Sequence, residues 1–467
     1  MDFAATIVFL ILYFVRPQDW VPAVGGLNVI KPIMALGFLG LATRHRRRPP
    51  WGIMTTPHEW VMLSFLVYGC YADQDWSGTL MTVLSVAGFY FLASQSLTEP
   101  QRLDRFFGWW AACVAMMCMI GVATDMGMDI TGARELIDNR MGRLSLNTWL
   151  MDNPNALGHT GVTAFPLVYF TMVYRRDVGL KLLAIPVFAL VAMCVIATQS
   201  KGAYLSAAAG ISAALLVGRS VSVQVALVTL LVIVGSTVAS MLPRMVDRES
   251  MKHDEGVMGR ALAFEAARTA YQTSTTGWNR FVAEIQWEGE TVKISTHSSL
   301  VQIGADLGSV GLFLYLSVLG CSLRSSLTLK TDLEELERAR CLLFSLLVGY
   351  FVSGWMINRS YHTEYFLLAG AATAFHKLAR ERRLIAAGVL TAPDAEESNE
   401  EIMSHPVSSQ ADQQQVDAEL IEGDSEEQAS VRRMWRRYGI VDFAIAYGLL
   451  QFTLWFWDYL INYFNVE

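Results

Sequence analysis

Long apolar runs, each closed by a short polar or basic break, recur along most of the chain. A helix that crosses a bilayer needs about 20 predominantly apolar residues. Runs of that order lie near 3–15, 27–43, 59–73, 79–94, 106–124, 159–174, 181–198, 203–217, 223–241, 304–323, 341–358 and 366–378. The pattern predicts an all-α, polytopic membrane protein with about 12 transmembrane helices. Lys and Arg mark the loops. Arg44–Arg48, Arg102 with Arg105, Arg175 with Arg176, Arg219, the stretch from Arg324 and the stretch from Lys377 all fall on alternate loops. The positive-inside rule makes that side cytoplasmic and places the N-terminus there. Residues 1–15 lack a basic leader and a small-residue cleavage site, so they read as a first anchor and not as a signal peptide.

Two loops on the opposite side are long, 125–158 and 242–299. In the second, Met258, Leu262, Ala266 and Thr269 recur at helical spacing, which predicts a helix lying over the membrane mouth. Thr276–Phe281, "TGWNRF", reads as a turn. The transmembrane domain therefore covers 1–383. Residues 384–430 form an acidic, aromatic-poor segment expected to be a disordered cytoplasmic linker. Residues 431–467 form a basic-aromatic C-terminal helix, and its apolar part, 440–463, either makes a thirteenth span or lies in the interface. On this reading the tail is dispensable for chemistry.

Composition narrows the chemistry. Only 17% of the 467 residues are charged, against roughly 25% in a soluble domain, which excludes a large soluble core. The six cysteines sit in or beside apolar runs without a CxxC pair, so neither a zinc site nor a disulfide framework is expected. No GxxxxGK[ST] motif and no acidic metal triad occurs. Nucleotide hydrolysis and metal-assisted chemistry are disfavoured, no cofactor is expected, and no nucleic acid is implied. "DQD" (Asp73–Asp75) stands alone on a short loop.

Ionisable groups at the ends of spans are functional candidates in a membrane protein. "RLSLNTWLMDNPNALG" (Arg143–Gly158) combines a cation with Asn153 and Asn155 flanking Pro154, a helix-capping turn. "TQSKGAYLSAAAG" puts Lys201 at a tight turn between two spans. Arg260 and Arg268 are eight residues apart, a net rotation of about 80° that lets both face one pocket. Arg280 and Arg359 are further exterior cations, and His362 stands beside the latter. His297 opens the helix that holds Gly304, Gly308 and Gly311, a small-residue face for tight packing. Asp306, nine residues on, falls on the opposite side of a straight helix. Arg143, Lys201, Arg260, Arg268, Arg280 and Arg359 on one exterior face suit a phosphate or pyrophosphate. A nearby histidine suits a general base. For any one of these residues the plainer alternative is a snorkelling cation, a cap or a structural histidine.

The order and placement of four pieces carry a resemblance. "RLSLNTWLMDNPNALG", "ATQSKGAYLSA" (Ala197–Ala207), "GRALAFEAA" (Gly259–Ala267) with "TTGWNRF", and "THSSLVQIGADLGSVGLFLYL" (Thr296–Leu316) together resemble the bacterial O-antigen ligase and O-antigen polymerase superfamily. The family commonly has Ser-Arg-Gly where Ser200-Lys201-Gly202 stands, and often glutamate at Asp306. "YFVRPQDWVP" near the N-terminus is similar to membrane proteins of exopolysaccharide assembly. The resemblance implies a metal-independent glycosyltransferase in the bacterial inner membrane with a periplasmic active site. Its donor would be an undecaprenyl-pyrophosphate-linked glycan. Its acceptor would be a sugar hydroxyl on a lipid-linked repeat (polymerase) or lipid A–core (ligase), or a protein hydroxyl. On that reading His297 accepts the acceptor proton, the six cations hold the departing pyrophosphate, and Asn153, Asn155 and Asp306 position substrate. Membrane lipid and other polysaccharide assembly proteins are the further partners implied. A flippase for the same lipid-linked sugar would place ionisable groups deep in the spans and show inverted repeats. A non-catalytic scaffold would use the acidic linker for docking.

Overall fold

A computed structural model describes residues 1–25, 29–45, 53–220, 222–227, 229, 255–273, 275–287, 290–386 and 438–464. The elements follow the apolar runs. Helices α1 (Asp2–Phe14), α2 (Pro17–Trp20), α3 (Ile30–His45), α4 (Pro57–Tyr71), α5 (Trp76–Ser96), α6 (Pro100–Asp125) and α7 (Arg134–Asp138) come first. Then come α8 (Pro154–Val168), which runs into a π-helical turn at Tyr169–Val173, α9 (Val178–Ala197) and α10 (Lys201–Leu216). Helix α11 (Glu255–Thr273) and strands β1 (Ala283–Trp287) and β2 (Glu290–Ile294) precede α12 (Ser299–Thr328), α13 (Glu334–Met356), α14 (Thr363–Ala386) and α15 (Ile440–Phe464).

Among the described residues, seven helices are long and apolar enough to cross a membrane: α5, α6, α8 with its π turn, α9, α12, α13 and α15. Helices α1 and α3 are apolar but shorter. The expected span at 223–241 lies mostly outside the described residues, as does the linker. The described residues thus bear out a helical, multi-span protein with seven candidate spans, and the count of about twelve stays an expectation.

The packing is that of a helical bundle. α10 lies on α13 and α8, α5 on α14, and α12 against α13, α15, α11 and α4. Polar pins hold it where burial alone would let helices slide. Thr56 and Glu59 form a capping box at the start of α4, and Glu59 also takes Lys377 of α14 at 2.5 Å and the Gln95 amide of α5 at 3.1 Å. Both partners of that ion pair are buried. A buried charge kept this way needs its counter-charge, because removing one side strands the other.

Two regions depart from a purely helical exterior loop. The expected helix forms as α11, but a β-hairpin follows it, with Ala283 opposite Ile294 and Ile285 opposite Val292. The alternation Ala283, Ile285 and Val292, Ile294 carries the period-2 signal of a half-buried ribbon. Those side chains pack on Leu262, Ala263 and Ala266 of α11. Second, α12 is not straight. Gly308 breaks it with φ 63° and ψ −161°, a conformation open only to glycine. Gly308 is thus the break in the helix and not part of a continuous small-residue face.

The C-terminal helix does not lie flat across a surface. It runs along α12, with Asp442 paired to Arg324 at 2.7 Å near one end and Asp458 paired to Arg268 at 2.7 Å near the other. Sixteen residues of helix separate these acids, about 24 Å of rise. Trp457 is fully buried against the backbone of Gly304, where a Cβ would meet its ring at 2.9 Å, and its indole N–H donates to the Phe264 carbonyl at 3.1 Å.

Candidate active site

Three of the quoted motifs end in the same device. Asn153 accepts from the Asn155 amide at the start of α8, Ser200 from the Ala203 amide at the start of α10, and Ser298 from the Val301 amide at the start of α12. Each polar residue lets the chain turn into a buried helix while satisfying one orphan N–H. Packing of α8 on α10, and of α13 on both α10 and α12, gathers these ends. Their remaining amides and dipoles favour an anion. Lys201, exposed, is the first residue of α10. Arg143 reaches across to the Thr198 carbonyl at 3.1 Å and to the Asn155 Oδ1 at 2.9 Å. It therefore ties the loop before α8 to the ends of α8 and α9 through neutral oxygens.

His297 sits between β2 and α12 at φ 49°, a left-handed conformation that costs a non-glycine residue about 1–2 kcal/mol. Its neighbours enforce it. The Thr296 hydroxyl donates to the Gln302 side chain at 2.9 Å, Ser298 donates to the Gly354 carbonyl at 3.0 Å, and Ser299 to the Ile357 carbonyl at 2.9 Å. The imidazole is half-buried. Burial first, and then the charge of Arg260, hold its pKa below the ordinary imidazole value. It is therefore the neutral, proton-accepting form at neutral pH.

The other cations go elsewhere. Arg268 does not share a pocket with Arg260. Eight residues also advance a helix about 12 Å, and Arg268 forks onto Asp458 of α15 at 2.7 and 2.9 Å, over the rings of Tyr271 and Trp457. Arg280 contacts Asp73 at 3.1 Å and Asp75 at 3.4 Å, which gives the isolated "DQD" a structural partner. Burial pushes Asp73 up, but bonds from Thr79, Arg280 and the Asp75 amide outweigh it and hold its carboxyl below the ordinary range. Arg359 is buried. It donates to Glu364 at 2.6 Å, to Thr160 at 2.6 Å and to the Ala156 carbonyl at 2.7 Å.

Asp306 is also filled from within. Its carboxylate accepts from the amides of Phe281 at 2.7 Å and Arg280 at 3.0 Å, from Tyr361 at 2.9 Å and from Gln302 at 3.1 Å. Its carbonyl takes the Thr276 and Gly277 amides at 2.9 and 3.0 Å. The break at Gly308 leaves that carbonyl without a helical partner, and the "TGWNRF" turn fills it. Asp306 thus clamps the turn to α12.

Beneath the rim lies a cavity of about 30 Å³, lined in part by His159, Ser206, Tyr350, Ser353 and Arg359. It has room for a single water. His159 shares its Nδ1 with Ser353 at 2.7 Å and Ser206 at 3.4 Å. Its only sequence signal was a polar side chain one turn inside an apolar run. Glu364 and Asp458 were equally silent: an acid at a helix end names no partner.

Residues 186–316 match the O-antigen ligase family model, bearing out the resemblance read from the motifs. The matched stretch holds Lys201, Arg260, His297 and Asp306, whereas Arg143, Arg359 and α15 lie outside it. No curated protein matches the chain.

Proposed function

With residues 186–316 as an O-antigen ligase domain in a membrane helix bundle, we propose that this chain transfers a polyprenyl-pyrophosphate-linked glycan to an acceptor sugar hydroxyl at the periplasmic face. The observation that carries the reading is His297, half-buried and fixed in a strained turn beside the capped start of α12.

The acceptor O–H gives its proton to His297 as its oxygen attacks the anomeric carbon. The bond from that carbon to the pyrophosphate oxygen breaks, and the leaving group keeps the electron pair. A new glycosidic bond forms, and polyprenyl pyrophosphate departs. Arg260, Arg143, Lys201 and the gathered helix ends meet the charge that develops on it. Arg268, Arg280 and Arg359 take a different part, because each already answers an acid. They hold α11, the "TGWNRF" turn and α8 so that the reacting groups keep their distances.

Purified protein supplied with a lipid-linked donor and separate acceptors tests this directly. Product on a lipid-linked repeat identifies a polymerase, and product on lipid A–core a ligase. Donor translocation without a new glycosidic bond would reject the proposal. Orientation has its own test. Cysteines placed at the exposed Thr275 and Lys330 should label from opposite sides of the membrane, Thr275 from the periplasm.

A further inference from the structure

At the opposite end of the bundle from His297, α8 unwinds into the π turn Tyr169–Val173, and an open cavity of about 520 Å³ lies beside it. Arg175, Lys181 and Arg219 line it, together with Tyr169, Tyr174 and Gly218. All three cations are exposed. Asp104, a neighbouring acid, takes Arg176 at 2.6 Å and Arg338 at 3.5 Å, while Asp177, the residue before α9, makes no side-chain cap bond. Among the described residues no ion pair involves Arg175, Lys181 or Arg219. Two of them meet aromatic residues: Arg175 lies over the Tyr174 ring at 5.4 Å, and Arg219 donates to the Tyr169 hydroxyl at 3.4 Å. Arg175 also has φ 52°, so its backbone is constrained at the mouth of the cavity.

The cavity continues into an apolar surface. Beyond Lys181, α9 exposes Leu182, Leu183 and Ile185, each more than half accessible. A cationic cup at the end of the spans, above a stripe of exposed aliphatic side chains, has the chemistry of a phospholipid: a phosphate in the cup and acyl chains along the helix. We propose that Arg175, Lys181 and Arg219 form a binding site for the phosphate headgroup of an anionic phospholipid, with its chains on α9. The inference uses the bundle's packing and not the transfer reaction, so it stands or falls apart from the function proposed above.

The test places the full chain in nanodiscs of phosphatidylcholine doped with phosphatidylglycerol, and native mass spectrometry counts the lipids retained. Each cation near a headgroup contributes roughly 1 kcal/mol, so replacing all three should weaken retention about a hundredfold. The variant is Arg175→Gln/Lys181→Gln/Arg219→Gln. Its control, Arg105→Gln/Lys330→Gln/Arg382→Gln, removes equal charge from exposed positions elsewhere and should keep the preference for phosphatidylglycerol. Equal loss in both variants would overturn a specific site in favour of a general surface field. Inorganic phosphate in the buffer should not displace the lipid; displacement at matched concentration would assign the cup to a soluble anion instead. The unaltered protein supplies a reading independent of variant folding: no preference for phosphatidylglycerol over phosphatidylcholine would also overturn the site.

Discussion

At the end of the bundle that carries His297, the cations divide into an inner set and a rim. Arg359 is buried and meets Glu364, while Arg143 on the rim is half-buried and rests on neutral oxygens. The two have the same chemistry and lie on neighbouring elements, yet their surroundings give them different work. A buried guanidinium with a carboxylate at 2.6 Å has its charge answered and its donors used. A half-buried one on neutral acceptors keeps its field for an incoming anion. Arg260 lies within electrical reach of His297. The division shows that an arginine near a site is assigned by its counter-ion and not by its position in the chain.

The sharpest test of the rim is His297 itself. His297→Ala should lower the transfer rate by about 10²–10⁴, the range for a positioned base. His297→Asn is the stricter variant, because asparagine tolerates the left-handed backbone but takes up no proton. It should be as inactive as alanine with unchanged thermal stability. Recovery of most of the rate with asparagine would mean that the side chain only positions the acceptor.

The inner set should respond in stability. Arg359→Leu or Glu364→Leu alone should destabilise the fold by about 3–5 kcal/mol, since each strands a buried charge. The double variant should regain much of that loss and retain transfer. A double variant that folds normally but has no activity would move Arg359 to the rim.

The C-terminal helix packs on the helix that carries Arg260, and it changes the expectation for the tail. Trp457→Ala should cost about 3–5 kcal/mol through the cavity it leaves. It should also raise hydrogen exchange in Glu255–Thr273, the helix that carries Arg260. Deleting 384–467 should therefore impair transfer, contrary to the dispensable tail inferred from composition. Full activity and unchanged exchange after the deletion would separate α15 from the site.

A smaller effect should appear in pH dependence. The base must be neutral, and burial and Arg260 together lower its pKa. The acid limb of kcat/KM should therefore lie below about 6.5, the ordinary imidazole value. Arg260→Met removes one of the two causes, so the limb should move to higher pH while donor KM rises. A limb that does not move would place Arg260 out of electrical reach of the base.

Much of this was legible in the chain because it is local. Apolar length sets the helices. A polar residue just before an apolar run sets a cap, and Asn153, Ser200 and Ser298 follow that rule. The helix at Glu255–Thr273 and the turn at Thr276–Phe281 followed from spacing and turn chemistry. The hairpin carried a period-2 signal too, but in segments of five residues beside a strong helical pattern.

The sequence by itself determined the membrane class, the four motifs and the set of candidate residues, since each depends on neighbours within one or two turns. Only the tertiary structure decided which cations meet acids. Arg268 finds Asp458, Arg280 finds Asp73 and Lys377 finds Glu59 across separations of about 200 residues or more. Charge pairing acts through space over a few ångströms, and distance along the chain does not enter it. The break at Gly308, and the clamp that Asp306 makes on the turn, were decided the same way. A glycine in an apolar run reads as a packing contact until the partner that fills the freed carbonyls is in place.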